Sequence, residues 1–95
     1  MRVFLALMKH QDHVEKYSGS LVDLAKDMGN MRYDSLADFL QYLGDDLMKQ
    51  SEADKPRGRI KLASQLEETA RELYQAREKM LSAWKTCEPY MKSKK

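Results

Sequence analysis

Two histidines, one cysteine, a pair of adjacent aspartates and one basic cluster are the groups in this 95-residue chain whose types and spacing invite chemistry. His10 and His13 form an H-x-x-H pair with Asp12 and Glu15 alongside. One helical turn apart, two imidazoles can share a transition metal. A metal site inside a helical bundle also draws carboxylates or histidines from facing helices. The chain has no further histidine and no E-x-x-H, so His10 and His13 are candidate ligands without a full set, and the sequence implies no metal and no cofactor. Cys87 has no histidine near it in sequence and falls on an apolar stripe, which favours a packed thiol over a nucleophile. Asp45 and Asp46 read as a solvated helix face. No Gly-rich phosphate loop and no nucleophile elbow occurs, so no catalytic residue is assigned and the chain reads as a non-enzyme.

The basic cluster comprises Lys55, Pro56, Arg57, Gly58, Arg59 and Lys61. A basic loop leading into a helix N-terminus suits a phosphate or carboxylate, through free N–H groups and the helix dipole. That makes Lys55, Arg57, Arg59 and Lys61 the candidate nucleic-acid or anion-binding set. Pro56, Arg57, Gly58 and Arg59 resemble the core of the AT-hook, a short extended element whose two arginines enter the narrow minor groove of A·T-rich DNA. The resemblance covers those four positions, and Ile60 stands where a second proline usually follows. A formal charge of +2, with acidic residues spread along the chain, offers no basic recognition face. The loop therefore reads first as a solvated interhelical turn, with a nucleic-acid-binding accessory protein as the alternative.

The elements that would position these groups are helical. Ala63, Leu66, Ala70, Leu73, Met80, Trp84 and Cys87 recur at steps of three and four, with Arg77 interrupting, which predicts a helix over 58–88 stopped by Pro89. Proline also suits a first helical turn, so this helix could open at Pro56. Val3, Leu7, His10, Val14, Tyr17, Leu21, Leu24 and Met28 keep one phase and predict a first helix over 2–28. The competing reading breaks it at Gly19, with Ser20 as N-cap and Asp23 completing a capping box. Gly29 and Asn30 supply a stop, both tolerating the left-handed conformation of a C-cap. Leu36, Phe39, Leu40, Leu43 and Leu47 predict a shorter helix over 35–50, capped by Asp34 or Ser35, with Asp45 paired to Lys49. Residues 92–95 read as a basic, frayed tail.

With 42% hydrophobic and 34% charged residues, a single helical domain over 1–91 is the expected organisation. The fold expected is all-α, a three-helix up-down-up bundle with two long helices and one short. Helices of about 40, 24 and 45 Å do not match in length, so the third overshoots its neighbours. The apolar residues left bare at the two ends, Phe4, Leu7, Tyr74, Met80, Leu81, Trp84 and Cys87, form the candidate interface of a homodimer. In the competing arrangement Trp84 folds back onto the first helix of a monomer. Ala63 and Ala70 on the seam, with Ala76 and Ala83 beside it, allow a neighbouring backbone close, while Leu66, Leu73 and Met80 fill the facing gaps.

Compartment and partner follow from the same composition. One cysteine fits a reducing compartment, and the apolar run at 3–8 ends at Lys9, short of a secretory core. No stretch reaches the roughly 20 apolar residues of a membrane span, so a cytoplasmic location is expected. The sequence thus predicts a small protein–protein interaction module, an adaptor, regulator or assembly factor, working as a homodimer with an unidentified protein partner and without a membrane.

Overall fold

A computed structural model describes residues 10–93, with side chains described through Tyr90. Regular structure among the described residues is helical: α1 Leu21–Gly29, α2 Tyr33–Asp54 and α3 Ile60–Ser93. The chain divides into two compact units between Asn30 and Met31.

In the first unit, the long helix expected over 2–28 is corrected to α1, nine residues long. Residues 10–20 are not helical, and residues 2–9 lie outside the described residues. The physical reason is the capping box: Ser20 Oγ accepts from the Asp23 backbone N–H at 3.1 Å, and the Asp23 carboxylate accepts from the Ser20 backbone N–H at 3.2 Å. Those bonds satisfy orphan groups at a helix start and outweigh a heptad phase that runs on through the break. The chain turns at residues 14–17, where Tyr17 N–H donates to the Val14 carbonyl. The Tyr17 hydroxyl then reaches along α1 to Asp27 at 2.5 Å. α1 stops at Gly29 as expected, but its C-cap Asn30 is right-handed, its N–H bonded to the Lys26 and Asp27 carbonyls.

The second unit is an antiparallel hairpin of α2 and α3, which pack along their length. α2 is longer than the 35–50 expected and opens at Tyr33, because Asp34 works inside the first turn instead of capping it. Its carboxylate takes a fork of two bonds from Arg32, at 3.0 and 2.7 Å, and a third from the Ser35 N–H. Negative charge there also complements the positive end of the helix dipole.

The connection is the tight turn of residues 55–59. Arg57 N–H and Arg59 N–H donate to the Asp54 carbonyl, and Gly58 N–H to the Lys55 carbonyl. Gly58 sits at φ +80°, which only glycine adopts without strain. α3 therefore begins at Ile60 and not at Pro56. Nor does Pro89 end α3, which continues to Ser93. The proline forfeits one bond, to the Lys85 carbonyl, within the last turns where few bonds remain to be disturbed. Of the expected frayed tail, residues 92–93 are helical and 94–95 lie outside the described residues.

What holds the hairpin is a column of small residues. Ala37, Gly44 and Ser51 on α2 are buried at seven-residue steps, and Ala63 and Ala70 answer them on α3. Ser51 Oγ donates to the Ala63 carbonyl across the seam at 2.7 Å. A Cβ built on Gly44 would lie 3.3 Å from the Ala70 carbonyl oxygen, so the two backbones approach closely there, beside the Tyr74 ring. Side chains this small let helix axes approach toward about 8 Å. The seven-residue step continues on α3 to Arg77, which pairs with Glu78, and to Trp84.

Candidate functional site

The seam divides the remaining surface of the hairpin into two sides of different chemistry. With Gly44 and Ala70 facing each other in an antiparallel pair, residues three before a seam position fall on one side of both helices, and residues four before it on the other.

One side is polar and cross-linked. The Tyr74 ring lies over Gly44, and its hydroxyl donates to Asp45 at 2.7 Å. Gln41 also donates to Asp45, at 3.1 Å. Asp45 thus serves Gln41 and Tyr74 where a bond to Lys49 was expected. Bonding to that carboxylate, with some desolvation, raises the Tyr74 pKa above the ordinary 10.0 of a phenol, because the neutral form is the donor. Nearer the turn, Lys55 and Arg71 flank Glu67 at 3.8 and 2.6 Å. The Arg71 hydrogen bond, with the charges of Arg71 and Lys55, lowers the Glu67 pKa. Met48 and Leu81 are the half-buried apolar members of this side.

The other side is apolar along its length. α2 contributes Tyr33, Leu36, Leu40, Leu43 and Leu47, and Phe39 widens the stripe at its flank; α3 contributes Leu62, Leu66, Leu73, Met80 and Cys87. None of these is buried: Leu36, Leu40, Leu47, Leu66, Leu73, Met80 and Cys87 are half-buried, while Phe39 is 38%, Leu43 37% and Leu62 42% exposed. This side is the candidate functional surface.

The residues expected at an interface are distributed over the hairpin and not gathered in one place. Met80 and Cys87 lie on the apolar side. Tyr74 and Leu81 lie on the polar side, and Tyr74 is committed to Asp45 and to covering Gly44. Trp84 follows the seam column, half-buried, with the Arg32 guanidinium 5.2 Å over its ring within the same chain. Phe4 and Leu7 lie outside the described residues. The leucines of α2 were legible as one stripe, but they pointed to the hairpin's own seam. The signal that reassigns them is the parallel register of Ala37, Gly44 and Ser51, which only small residues could occupy at so close a backbone contact.

In the basic loop, Arg59 bonds Asp54 at 2.9 Å and Lys55 lies beside Glu67, while Arg57 and Lys61 are exposed. Pro56, Arg57, Gly58 and Arg59 form a hydrogen-bonded turn in place of the extended strand of an AT-hook. His10 and His13 are exposed in the non-helical segment, so they are not one helical turn apart; His13 Nδ1 lies 3.0 Å from Asp12. Among the described residues no group of three or more His, Cys, Asp or Glu side chains is placed to hold a metal, and no helix is long and apolar enough to cross a membrane. No family model matches this chain, and no curated protein or solved structure matches it either.

Proposed function

We propose that this chain is a small, non-catalytic protein–protein interaction module that works as a homodimer, in the role of an adaptor, regulator or assembly factor. One observation carries the reading. Among the described residues the only fully buried apolar side chains are those of Ala37, Ala63 and Ala70. A hairpin that buries alanine and leaves leucine, methionine and phenylalanine partly in water has its main hydrophobic stabilisation still to gain. At about 25 cal/mol per Å² of apolar surface, covering such a face contributes several kcal/mol.

The length argument for a dimer no longer applies, because α1 is short; the support now comes from the side chains flanking the seam. Size-exclusion chromatography with light scattering tests the reading. Two chains per particle at tens of micromolar are expected, and a single 11.1 kDa chain refutes the homodimer. The nucleic-acid alternative is separated by retention on heparin. Binding through the 55–61 loop requires retention that falls steeply with salt and is lost on Arg57→Ala, whereas the interaction module needs neither.

A further inference from the structure

We infer that the apolar side of the hairpin is closed by the same side of a second copy, the two related by a two-fold axis running along the helices. In that arrangement α2 of each chain lies antiparallel against α3 of the other in a four-helix bundle. The inference rests on the homodimer reading and adds which surface pairs and in which sense.

Size selects the occupant. α2 has 22 residues and therefore spans about 33 Å. Two adjacent helices about 8–10 Å apart make the apolar side about 18 Å wide. That is about 600 Å² in projection, close to the roughly 800 Å² of accessible surface each partner contributes to a stable interface. A single helix would cover half the width. A second hairpin matches both dimensions, and its own apolar side is left bare by the same sequence.

Side-chain size selects the sense. Two-fold pairing of two such sides has two solutions, with the axis along the helices or across them. An axis across the helices lays α2 on α2 and α3 on α3. The flank of α2 away from the seam carries Leu36, Phe39 and Leu43; the corresponding flank of α3 carries Leu62 beside the turn, at the level of Gln50 to Glu52 on α2, and then Thr69, Ala76 and Ala83. Phe39 lies five residues before Gly44 and Ala76 six after Ala70, so the large and small residues occupy one level of the bundle. With the axis along the helices large meets small, as close packing requires; with the axis across, bulk meets bulk and gap meets gap.

Charge points the same way. α2 carries Asp34, Asp38, Asp45, Asp46, Glu52 and Asp54 against Lys49, six minus one, a net of −5. α3 carries Lys61, Arg71, Arg77, Lys79, Lys85 and Lys92 against Glu67, Glu68, Glu72, Glu78 and Glu88, six minus five, a net of +1. Neighbouring helices lie within about 10 Å, which is close to the screening length at physiological salt. Placing α2 between two copies of α3 separates the two acidic helices.

The chain's one cysteine reports the sense directly. Cys87 is on the apolar side of α3, past the level at which α2 begins. With the axis along the helices both thiols lie at one end of the dimer, on facing sides of two α3 helices about 14 Å apart across the bundle diagonal. With the axis across, they lie at opposite ends, about 40 Å apart at 1.5 Å per residue. The experiment treats the full chain with a short bis-maleimide, after a monofunctional maleimide has established that the thiol reacts. Where it does not, Tyr90→Cys in a Cys87→Ser background carries the same test. The expected result is a shift of the band from one chain to two, lost in Leu43→Glu while circular dichroism shows the helices retained. A dimer by light scattering with no cross-link at either position overturns the sense of pairing and leaves the homodimer standing. A Leu43→Glu protein that stays dimeric overturns the surface. A monomeric wild type overturns both.

Discussion

Gly44→Ala isolates the close approach that defines the hairpin. A Cβ at this position would lie 2.7 Å from Tyr74 Cε1, 3.1 Å from Tyr74 Cδ1 and 3.3 Å from the Ala70 carbonyl oxygen. Carbon atoms sit best about 3.5–4.0 Å apart, so the ring must withdraw by close to 1 Å. Withdrawal pulls its hydroxyl off Asp45, where the bond is 2.7 Å, and leaves the contact with the facing backbone unrelieved. Overpacking of this kind costs about 1–3 kcal/mol. Against it stands the helix propensity of alanine over glycine, about 1 kcal/mol. The net expectation is a loss of about 1–2 kcal/mol, which for a domain of this size lowers the melting temperature by roughly 5–10 °C. Thermal unfolding followed by circular dichroism reads it, at one fixed protein concentration so that any self-association is held constant. The same substitution in a Tyr74→Ala background meets only the Ala70 carbonyl, and its cost should fall to within about 0.5 kcal/mol of zero. A Gly44→Ala protein that melts above the wild type refutes the reasoning, as does an equal loss in both backgrounds.

Further outcomes follow from named bonds. Ser51→Ala removes the donor to the Ala63 carbonyl while keeping the seam small, for a loss of about 1 kcal/mol in the same melt, and Ser51→Leu costs more because nothing larger fits. Ser20→Ala removes a cap worth about 1 kcal/mol, and since α1 lies outside the hairpin unit, amide exchange should quicken in α1 and stay unchanged in α2 and α3. Tyr74 has its pKa raised by donating to Asp45, so its contribution is complete below pH 10 and is lost as pH climbs through the higher folded value. Phenolate absorbance should show two late-titrating phenols, Tyr17 bonded to Asp27 and Tyr74 bonded to Asp45, of which Tyr74→Phe removes one, and a late component of equal size in the two proteins contradicts the Tyr74 bond. Asp34 and Glu67 are shifted the other way, by hydrogen bonds from Arg32 and Arg71. Their contributions are present above the ordinary carboxylate range and disappear as pH falls through the lowered folded values, so Arg71→Ala should flatten the acid limb of a stability-versus-pH curve.

Helical identity was legible because periodicity is a property of each segment taken alone. The 34-residue α3 declares itself through Ala63, Leu66, Ala70 and Leu73, and the alanines correctly announced a close backbone approach. Two things were not legible. The break at Gly19 could be read from the capping box of Ser20 and Asp23, but not that this local signal would prevail over a heptad phase running from Val14 to Met28. Periodicity reports which residues could share a face; caps decide whether the helix is there to supply one. The second is which stripe of α2 meets α3. Leu36, Leu40, Leu43 and Leu47 form the more hydrophobic stripe, and hydrophobicity alone assigns it to the seam. The structure places Ala37, Gly44 and Ser51 there instead, because small residues on both helices gain more dispersion contact by bringing the backbones together. The candidate surface was therefore present in the sequence but assigned to the interior, and Tyr74 and Trp84, expected at an interface, make contacts with Asp45 and Arg32 of their own chain.

The proposed pairing of this chain with its own copy through the leucine-rich side of the hairpin is read out by sedimentation equilibrium of the wild type beside Leu43→Glu. A wild-type mass of two 11.1 kDa chains and a variant mass of one, with helix content unchanged, are expected. A wild type that sediments as a single chain, or a variant that pairs as tightly as the wild type, contradicts that pairing.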